Sequence, residues 1–460
     1  MAGRERSPGD KPRDPEASRF GRRVQRYARV GAGVGGMAAK AAGRRLWGGD
    51  HDQGKDAREL KAALGGLKGP IMKVAQLLAT IPGALPAGYA AELAELQSAA
   101  PPMGWPFVKR RMAAELGADW RKRFAAFERD AAAAASLGQV HRARGADGQA
   151  LAVKLQYPDM QSAVAADLKQ LGLVFALYRR LNPVVDTAEM HEEIGARLRE
   201  ELDYELEAAH MALYGDILKH DPRIEVPHPV GDLSTKRLLT MNWLEGEPLL
   251  AFRAHPLAVR NRIAEAMFAA WWFPFSHYGV IHGDPHLGNY TVREDFGLNL
   301  LDYGCIRSFR PDFVAGVVEL YRALETDDRA RAVAAYEIWG FRGLSNALID
   351  VLTLWARFIY GPMLEDRVRS VADGVKPGEY GRKQAFAVHQ ALREHGPVRP
   401  PREFVFMDRA AIGLGAVFLH LGAELNFHRL FNETIEAFDP DILGQRQAAV
   451  FEKAGVPLPL

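Results

Sequence analysis

The chain has 460 residues, 48% of them hydrophobic and 25% charged, which leaves ample apolar volume for two or three folded domains. A single cysteine, Cys305, excludes an intramolecular disulfide and argues against a cysteine-based zinc site. Lysine and arginine number 59 against 57 aspartates and glutamates, a net charge of +2 with no bulk pull toward nucleic acid, and no nucleic-acid partner is expected.

Residues 1 to about 16 are charged and proline-containing without periodicity, and read as disordered. No apolar run follows them, so a secretory leader is not expected. Between Ala17 and Gly49 there are eight lysines or arginines and no acid, with Phe20, Val24, Tyr27 and Met37 interleaved. That pattern suits peripheral contact with an anionic membrane or a partner, and equally a solvated arm or, for this segment alone, contact with nucleic acid. No stretch reaches the roughly 20 apolar residues of a spanning helix. The nearest, Ile263 to Ile281, is interrupted by Glu265 and His277 and reads as a buried core helix.

From Asp56 a helical pattern runs through Leu60, Leu64 and Leu67, and Pro70 opens a further helix carrying Lys73 and Gln76 on one face. Short helices follow over Tyr89–Gln97 and Trp105–Leu116, on either side of Pro101-Pro102. The next region reads as β-rich. The alanine run Ala131–Ala135 favours helix by propensity, but lies between alternating apolar segments and ahead of a Gly145–Gly148 turn. We read it as a hairpin whose small-residue turn, Ala133, Ala134, Ala135, Ser136, Leu137 and Gly138, covers phosphates as a kinase N-lobe does. The strand after it carries one lysine, Lys154, expected to contact them.

Met160–Leu181 reads as a long helix, and a second runs from Thr187 to about Lys219. Along the second, Glu201 and Glu207 stand about 120° apart around the axis. One carboxylate can therefore face Lys154 and the other a different neighbour. An apolar strand from Leu238 runs into Glu245-Gly246, as a hinge between lobes would. The chain then turns helical over Asn261–Tyr278.

The most informative stretch is His282-Gly283-Asp284-Pro285-His286-Leu287-Gly288-Asn289, followed by a short apolar run and Asp302-Tyr303-Gly304. Protein kinases place a catalytic Asp and a metal-binding Asn at this five-residue interval, with a second metal-binding Asp before a Gly. Mg²⁺ is hard and takes oxygen ligands, so Asn289 and Asp302 can hold it against nucleotide phosphates. Asp284 then receives a hydroxyl proton. After Gly304 the chain passes almost directly into a helix from Phe313, with no long activation segment and no Ala-Pro-Glu, which disfavours peptide substrates.

These residues together resemble the UbiB-type (ADCK, AarF-like) atypical kinases linked to ubiquinone biosynthesis. Lys73-Val74-Ala75-Gln76 is similar to the family's Lys-x-Gly-Gln signature, with Ala75 in place of glycine. Ala133–Ser136 resembles its Ala-rich loop, Ala152-Val153-Lys154 its strand lysine, and Glu201-Leu202-Asp203 with Glu207 its Glu-x-Asp helix. Asp284–Asn289 and Asp302-Tyr303-Gly304 complete the set, with Tyr303 where Phe is usual.

The resemblance implies an α+β, bilobal, protein-kinase-like fold with a small β-rich N-lobe, a large helical C-lobe and a helical extension over the active site. The corresponding divisions are a basic arm at 1–49, the extension at 50–120, the N-lobe at 121–245 and the C-lobe at 246–460. The resemblance brings Lys73 and Gln76 into the active site, and pairs Lys154 with Glu207. Glu201 and Asp203 would engage the extension through Lys73. It implies ATP and Mg²⁺ as cofactors, with ATPase or small-molecule kinase activity in ubiquinone or isoprenoid-lipid metabolism. A lipid or quinone-pathway intermediate, ubiquinone-biosynthesis enzymes and a second copy of the chain are the partners it allows, at a cytoplasmic, peripherally membrane-associated location. Two competing readings are a nucleotide-gated scaffold without turnover and an aminoglycoside- or choline-type phosphotransferase.

Overall fold

A computed structural model describes residues 103–165 (Ser136 apart), 187–375 and 402–459, with a few isolated positions between. Lys73, Gln76, the basic arm, the extension up to Pro102 and most of Met160–Leu181 lie outside the described residues. By internal contacts the chain divides into two units. The first takes in residues up to 120, 128–141 and 154–202, and the second 121–127, 142–153 and 203–460.

In the first unit, helix α1 (Trp105–Leu116) begins after Gly104 with a proline in its first turn and ends at Gly117, where φ is +89°. It buries Val108, Arg111 and Met112 on one face. The five-stranded sheet, which is not confined to the first unit, is formed by β1 (Phe124–Phe127), β2 (Ala133–Ala135), β3 (Gly138–Gly145), β4 (Ala150–Gln156) and, later in the chain, β6 (Leu238–Asn242). Its order is β1-β3-β4-β6, with β2 pairing β3. The alanine run is a strand: Ala133 faces Val140 and Ala135 faces Gly138 across an antiparallel pair. Alanine's helical preference amounts to a few tenths of a kcal/mol per residue, which ladder pairing over so short a run overrides.

The buried Gln139 brackets the chain ahead of α1, accepting from Met103 N at 2.6 Å and donating to Met103 O at 3.3 Å. It also donates to His141 Nε2 at 2.7 Å, which leaves Nδ1–H of that ring to the Glu128 carbonyl at 3.0 Å. Below the sheet end, Leu137, Tyr157, Met160, Val164, Leu198 and Leu202 form an apolar cluster.

The sequence leads one to expect a single helix from Thr187 to about Lys219. The structure breaks it. α2 (Thr187–Glu200) stops, Glu201-Leu202-Asp203 cross over, and α3 (Tyr204–Leu218) starts afresh. Asp203 is the N-cap of α3, its side chain accepting from Leu206 N at 3.2 Å, and Glu205 and Glu207 load acid into the first turn. The 120° relation between Glu201 and Glu207 assumed one continuous helix and does not apply.

The second unit is built on α3 and on α4 (Leu257–Tyr278), which buries Ile263, Met267, Phe268, Trp271 and Phe275. α4 ends at Gly279, left-handed at φ +62°, whose N–H returns to Phe275 O. Short strands follow: β5 (Ile224–Glu225), β6 (Leu238–Asn242) and β7 (Glu247–Pro248) before α4, then β8 (Val280–His282), β9 (Tyr290–Val292), β10 (Leu298–Leu300) and β11 (Ile306–Ser308). β9 and β10 form an antiparallel hairpin with Leu298 opposite Val292, and β8 pairs with β11, Ile306 opposite His282. Helices α5 (Pro311–Glu325), α6 (Arg329–Ile338), α7 (Asn346–Tyr360), α8 (Arg402–Leu421), α9 (Phe427–Ile435) and α10 (Pro440–Ala454) complete it.

Two contacts of α10 matter for the site. Lys453 Nζ meets Asp216 Oδ1 on α3 at 2.7 Å, and the buried Gln447 donates to Tyr278 O at 2.8 Å and Phe309 O at 2.9 Å. The amide thus ties together the two chain ends flanking the β8–β11 pair.

Candidate functional site

The loop after β8 is held by its own backbone. His286 N donates to Asp284 O at 2.8 Å, Asn289 N donates to His286 O at 2.9 Å, and His286 Nδ1 accepts from Gly288 N at 3.1 Å. Asn289 Nδ2 donates back to Asp284 O at 2.9 Å. The five-residue spacing closes here into a turn that places the acid and the amide side by side. With the Asn289 nitrogen so committed, its Oδ1 is the atom left to accept or to ligate.

The second acid is fixed from several directions. His282 Nε2–H donates to Asp302 O at 2.6 Å, while its Nδ1 accepts from Asp284 N at 3.4 Å, so one imidazole tautomer spans both acids. Gly304 N donates to Asp302 Oδ1 at 3.0 Å. Around the buried His282, ring centroids of Trp271 and Tyr303 lie at 6.1 Å and of Tyr214 and Tyr290 at 6.3 Å. Tyr303 replaces the usual Phe, and its hydroxyl donates to Leu300 O at 3.1 Å. Burial pushes the hydroxyls of Tyr214, Tyr290 and Tyr303 well up, so this aromatic shell is neutral.

Asn289 and Asp302 offer one amide oxygen and one carboxylate, a hard donor set that suits Mg²⁺ when nucleotide phosphates and waters supply the rest. Among the described residues no cluster of three or more His, Cys, Asp or Glu forms a closed cage for a metal.

Asp284, Asn289, Asp302 and Glu207 all belong to the second unit, and the structure brings the first two into direct contact. Lys154 lies on β4 in the first unit with Ala133–Ala135, Leu137 and Gly138. Lys154 is 7% exposed and Glu207 2%, so both are buried charges. Asp203 caps α3 and meets Lys236 Nζ at 3.2 Å. Glu201 sits in the crossover before α3. Lys73, Gln76 and Ser136 are outside the described residues.

Sequence reasoning missed two residues beside this site. Gly413 of α8 lets that helix approach the loop so closely that a Cβ there would lie 2.2 Å from Pro285 Cγ. His210 of α3 is 8% exposed, and its Nδ1–H donates to Tyr303 O at 3.2 Å. Burial, against a smaller opposing effect of that bond, lowers the His210 pKa from the ordinary 6.5 to about 4.

The unfolded chain protonates this imidazole below about pH 6.5 and the folded protein only near pH 4. Its contribution is therefore complete above pH 6.5 and is lost as pH falls toward 4. We expect wild-type protein to lose about 2 kcal/mol through His210 between pH 7.5 and pH 5. Burial lowers His141 and His277 too, so their effects add in the same direction. Urea unfolding at the two pH values should show a smaller acid loss in His210→Asn. An unchanged loss would contradict the buried neutral imidazole.

Comparison with known protein families matches residues 95–336 to the ABC1 atypical kinase-like domain, more than half of the chain. The chain belongs to the ABC1 atypical kinase-like family. Within that family it is 26% identical to the mitochondrial atypical kinase COQ8 of Saccharomyces cerevisiae, over 80% of this chain and 74% of that protein. It is 30% identical to the chloroplastic ACTIVITY OF BC1 COMPLEX KINASE 8 of Arabidopsis thaliana, over 61% of this chain but 38% of that one. For several such relatives the chain spans only about half of their length or less. Among solved structures, the Rv3197–erythromycin complex from Mycobacterium tuberculosis superposes with a TM-score of 0.59 at 28% identity, covering 85% of this chain and 97% of that one. The fold is therefore kinase-like and mixed α+β. The name of the yeast relative places that protein in mitochondria and the name of the Arabidopsis relative places that one in chloroplasts. Among the described residues, no helix is long and apolar enough to cross a membrane.

Proposed function

We propose that this ABC1-family chain is a Mg²⁺- and ATP-dependent ATPase or small-molecule kinase serving ubiquinone or related isoprenoid-lipid metabolism at a membrane surface. The observation that carries this reading is the Asp284–Asn289 turn set beside Asp302, a base and two oxygen ligands with their geometry fixed by backbone bonds. In this reading Lys154 contacts the α/β phosphates with Glu207 as its partner, and Ala133–Gly138 covers the nucleotide. Lys73 and Gln76 contribute from the extension, which Glu201 and Asp203 engage through Lys73. Catalysis is positioning and charge neutralisation, with little covalent work for the protein.

A small-molecule acceptor is supported by the short path from Gly304 through β11 to α5 at Pro311, which leaves little chain for a peptide-docking segment. The mycobacterial neighbour's complex with erythromycin supports it further. The test is ATP turnover with and without Mg²⁺ and anionic liposomes. We expect Mg²⁺-dependent hydrolysis that rises with lipid. ATP binding without turnover in any lipid condition would instead make the protein a nucleotide-gated scaffold.

The helix behind the loop supplies a sharper prediction. Gly413→Ala places a methyl carbon within 2.2 Å of the rigid Pro285 ring, so the Asp284 turn must shift. We expect kcat to fall at least about tenfold, since a displacement of about 1 Å at a reacting group costs up to about 100-fold. Unchanged kcat would show that α8 yields instead of the loop.

A further inference from the structure

We infer that His210 is a positioning residue for the metal carboxylate, acting through the Tyr303–Gly304 peptide group. This rests on the reading that Asp302 binds the metal. The Tyr303 carbonyl and the Gly304 N–H belong to one rigid planar unit and point in opposite directions. His210 Nδ1–H holds the carbonyl at 3.2 Å, and the N–H holds Asp302 Oδ1 at 3.0 Å. Rotation of that plane would withdraw the N–H from the carboxylate, so fixing the carbonyl fixes the carboxylate. His282 anchors Asp302 separately through its backbone carbonyl. The acid is thus held at its main chain by one histidine, and its side chain is oriented through the other.

The choice of side chain fits this use. His210 is 8% exposed in an interior that a leucine would fill at lower desolvation cost. Its hydrogen bond goes to a carbonyl of the metal turn and not to its own helix. It lies on α3, three residues after Glu207, and one turn before Tyr214, whose ring is 5.5 Å from that of Tyr303. The helix bearing Glu207 therefore grips Tyr303 at both backbone and ring. Any movement of α3 along its axis is transmitted to Asp302, which links the position of Glu207 to metal affinity.

The test is Mn²⁺ binding by electron paramagnetic resonance with a non-hydrolysable ATP analogue, on wild type, His210→Leu and His210→Asn. Asparagine puts an amide N–H near the place of Nδ1–H, whereas leucine keeps volume without a donor. We expect His210→Leu to weaken Mn²⁺ about 3- to 10-fold, the range of one net hydrogen bond, with metal-free nucleotide binding unchanged. His210→Asn should stay within about twofold of wild type. Equal affinity in the leucine variant, or equal weakening in both, would overturn the proposal. Should His210→Leu fail to fold, the asparagine variant and ¹⁵N-histidine NMR decide: an Nε2–H tautomer in the wild type would exclude the bond. Absence of Mn²⁺–nucleotide binding in wild type would instead sink the nucleotide reading itself, which separates the two failures.

Discussion

Asp284→Asn is expected to lower Mg²⁺-dependent ATP turnover about 100- to 10,000-fold, the usual loss when a general base is removed. Asparagine has the same shape but cannot take the proton of an attacking hydroxyl or water. The hydrogen bonds that close the turn run to the Asp284 backbone carbonyl, from His286 N at 2.8 Å and from Asn289 Nδ2 at 2.9 Å, and asparagine keeps that carbonyl. The Asp284 N–H to His282 Nδ1 contact survives as well. Structure and nucleotide affinity should therefore be close to wild type, which isolates the chemical step. Steady-state kinetics with a thermal-unfolding control gives the answer. Turnover equal to wild type in a folded variant would mean that another group serves as base.

That prediction could be drawn almost entirely from sequence, because the loop's chemistry is local. An Asp and an Asn five apart, flanked by glycine and proline, specify a turn through backbone bonds that need no distant partner. The alanine run was legible only in part: flanking alternation and a following turn outweigh a helical propensity of a few tenths of a kcal/mol, but Ala133–Ala135, expected as the turn itself, form strand β2 because they pair with Gly138–Val140. The break before α3 carried a signal that helical periodicity hid. Asp203 ahead of an apolar run with acids in its first turn is an N-terminal pattern, and the structure uses it as one. His210, Gly413 and Arg111 could not be read this way. A polar residue on a helix normally faces solvent, and a mid-helix glycine carries no address. Each acquires meaning only from a partner that tertiary structure brings near: Tyr303 at 93 residues' separation from His210, and Gln156 at 45 from Arg111.

Arg111→Leu is expected to destabilise the first unit by about 3–5 kcal/mol, the range for removing one member of a buried ion pair. Arg111 is 3% exposed, and the side chains of Arg111 and Glu115, one helical turn apart, are 1% and 7% exposed. The guanidinium uses three nitrogens: Nη1 to Glu115 Oε1 at 3.1 Å, Nε to Gln156 O at 3.2 Å and Nη2 to Tyr157 O at 3.3 Å. Those carbonyls end β4 just before Pro158, which has no N–H to continue a ladder. Leucine would leave both carbonyls short of a donor and Glu115 buried without this cation, a desolvation cost that apolar packing does not offset. The same bonds fasten α1 to the strand bearing Lys154, two residues before Gln156, so the substitution should also weaken nucleotide binding if that lysine holds phosphate. Urea unfolding followed by tryptophan fluorescence reads the first effect, since Trp105 and Trp120 lie at either end of this region and their rings contact at 6.4 Å. The double variant Arg111→Leu/Glu115→Leu should recover part of the loss, because the buried carboxylate that has lost this cation is then removed as well. A single variant within about 1 kcal/mol of wild type, or a double variant losing the full sum of two singles, would show that the pair does not hold α1 to β4.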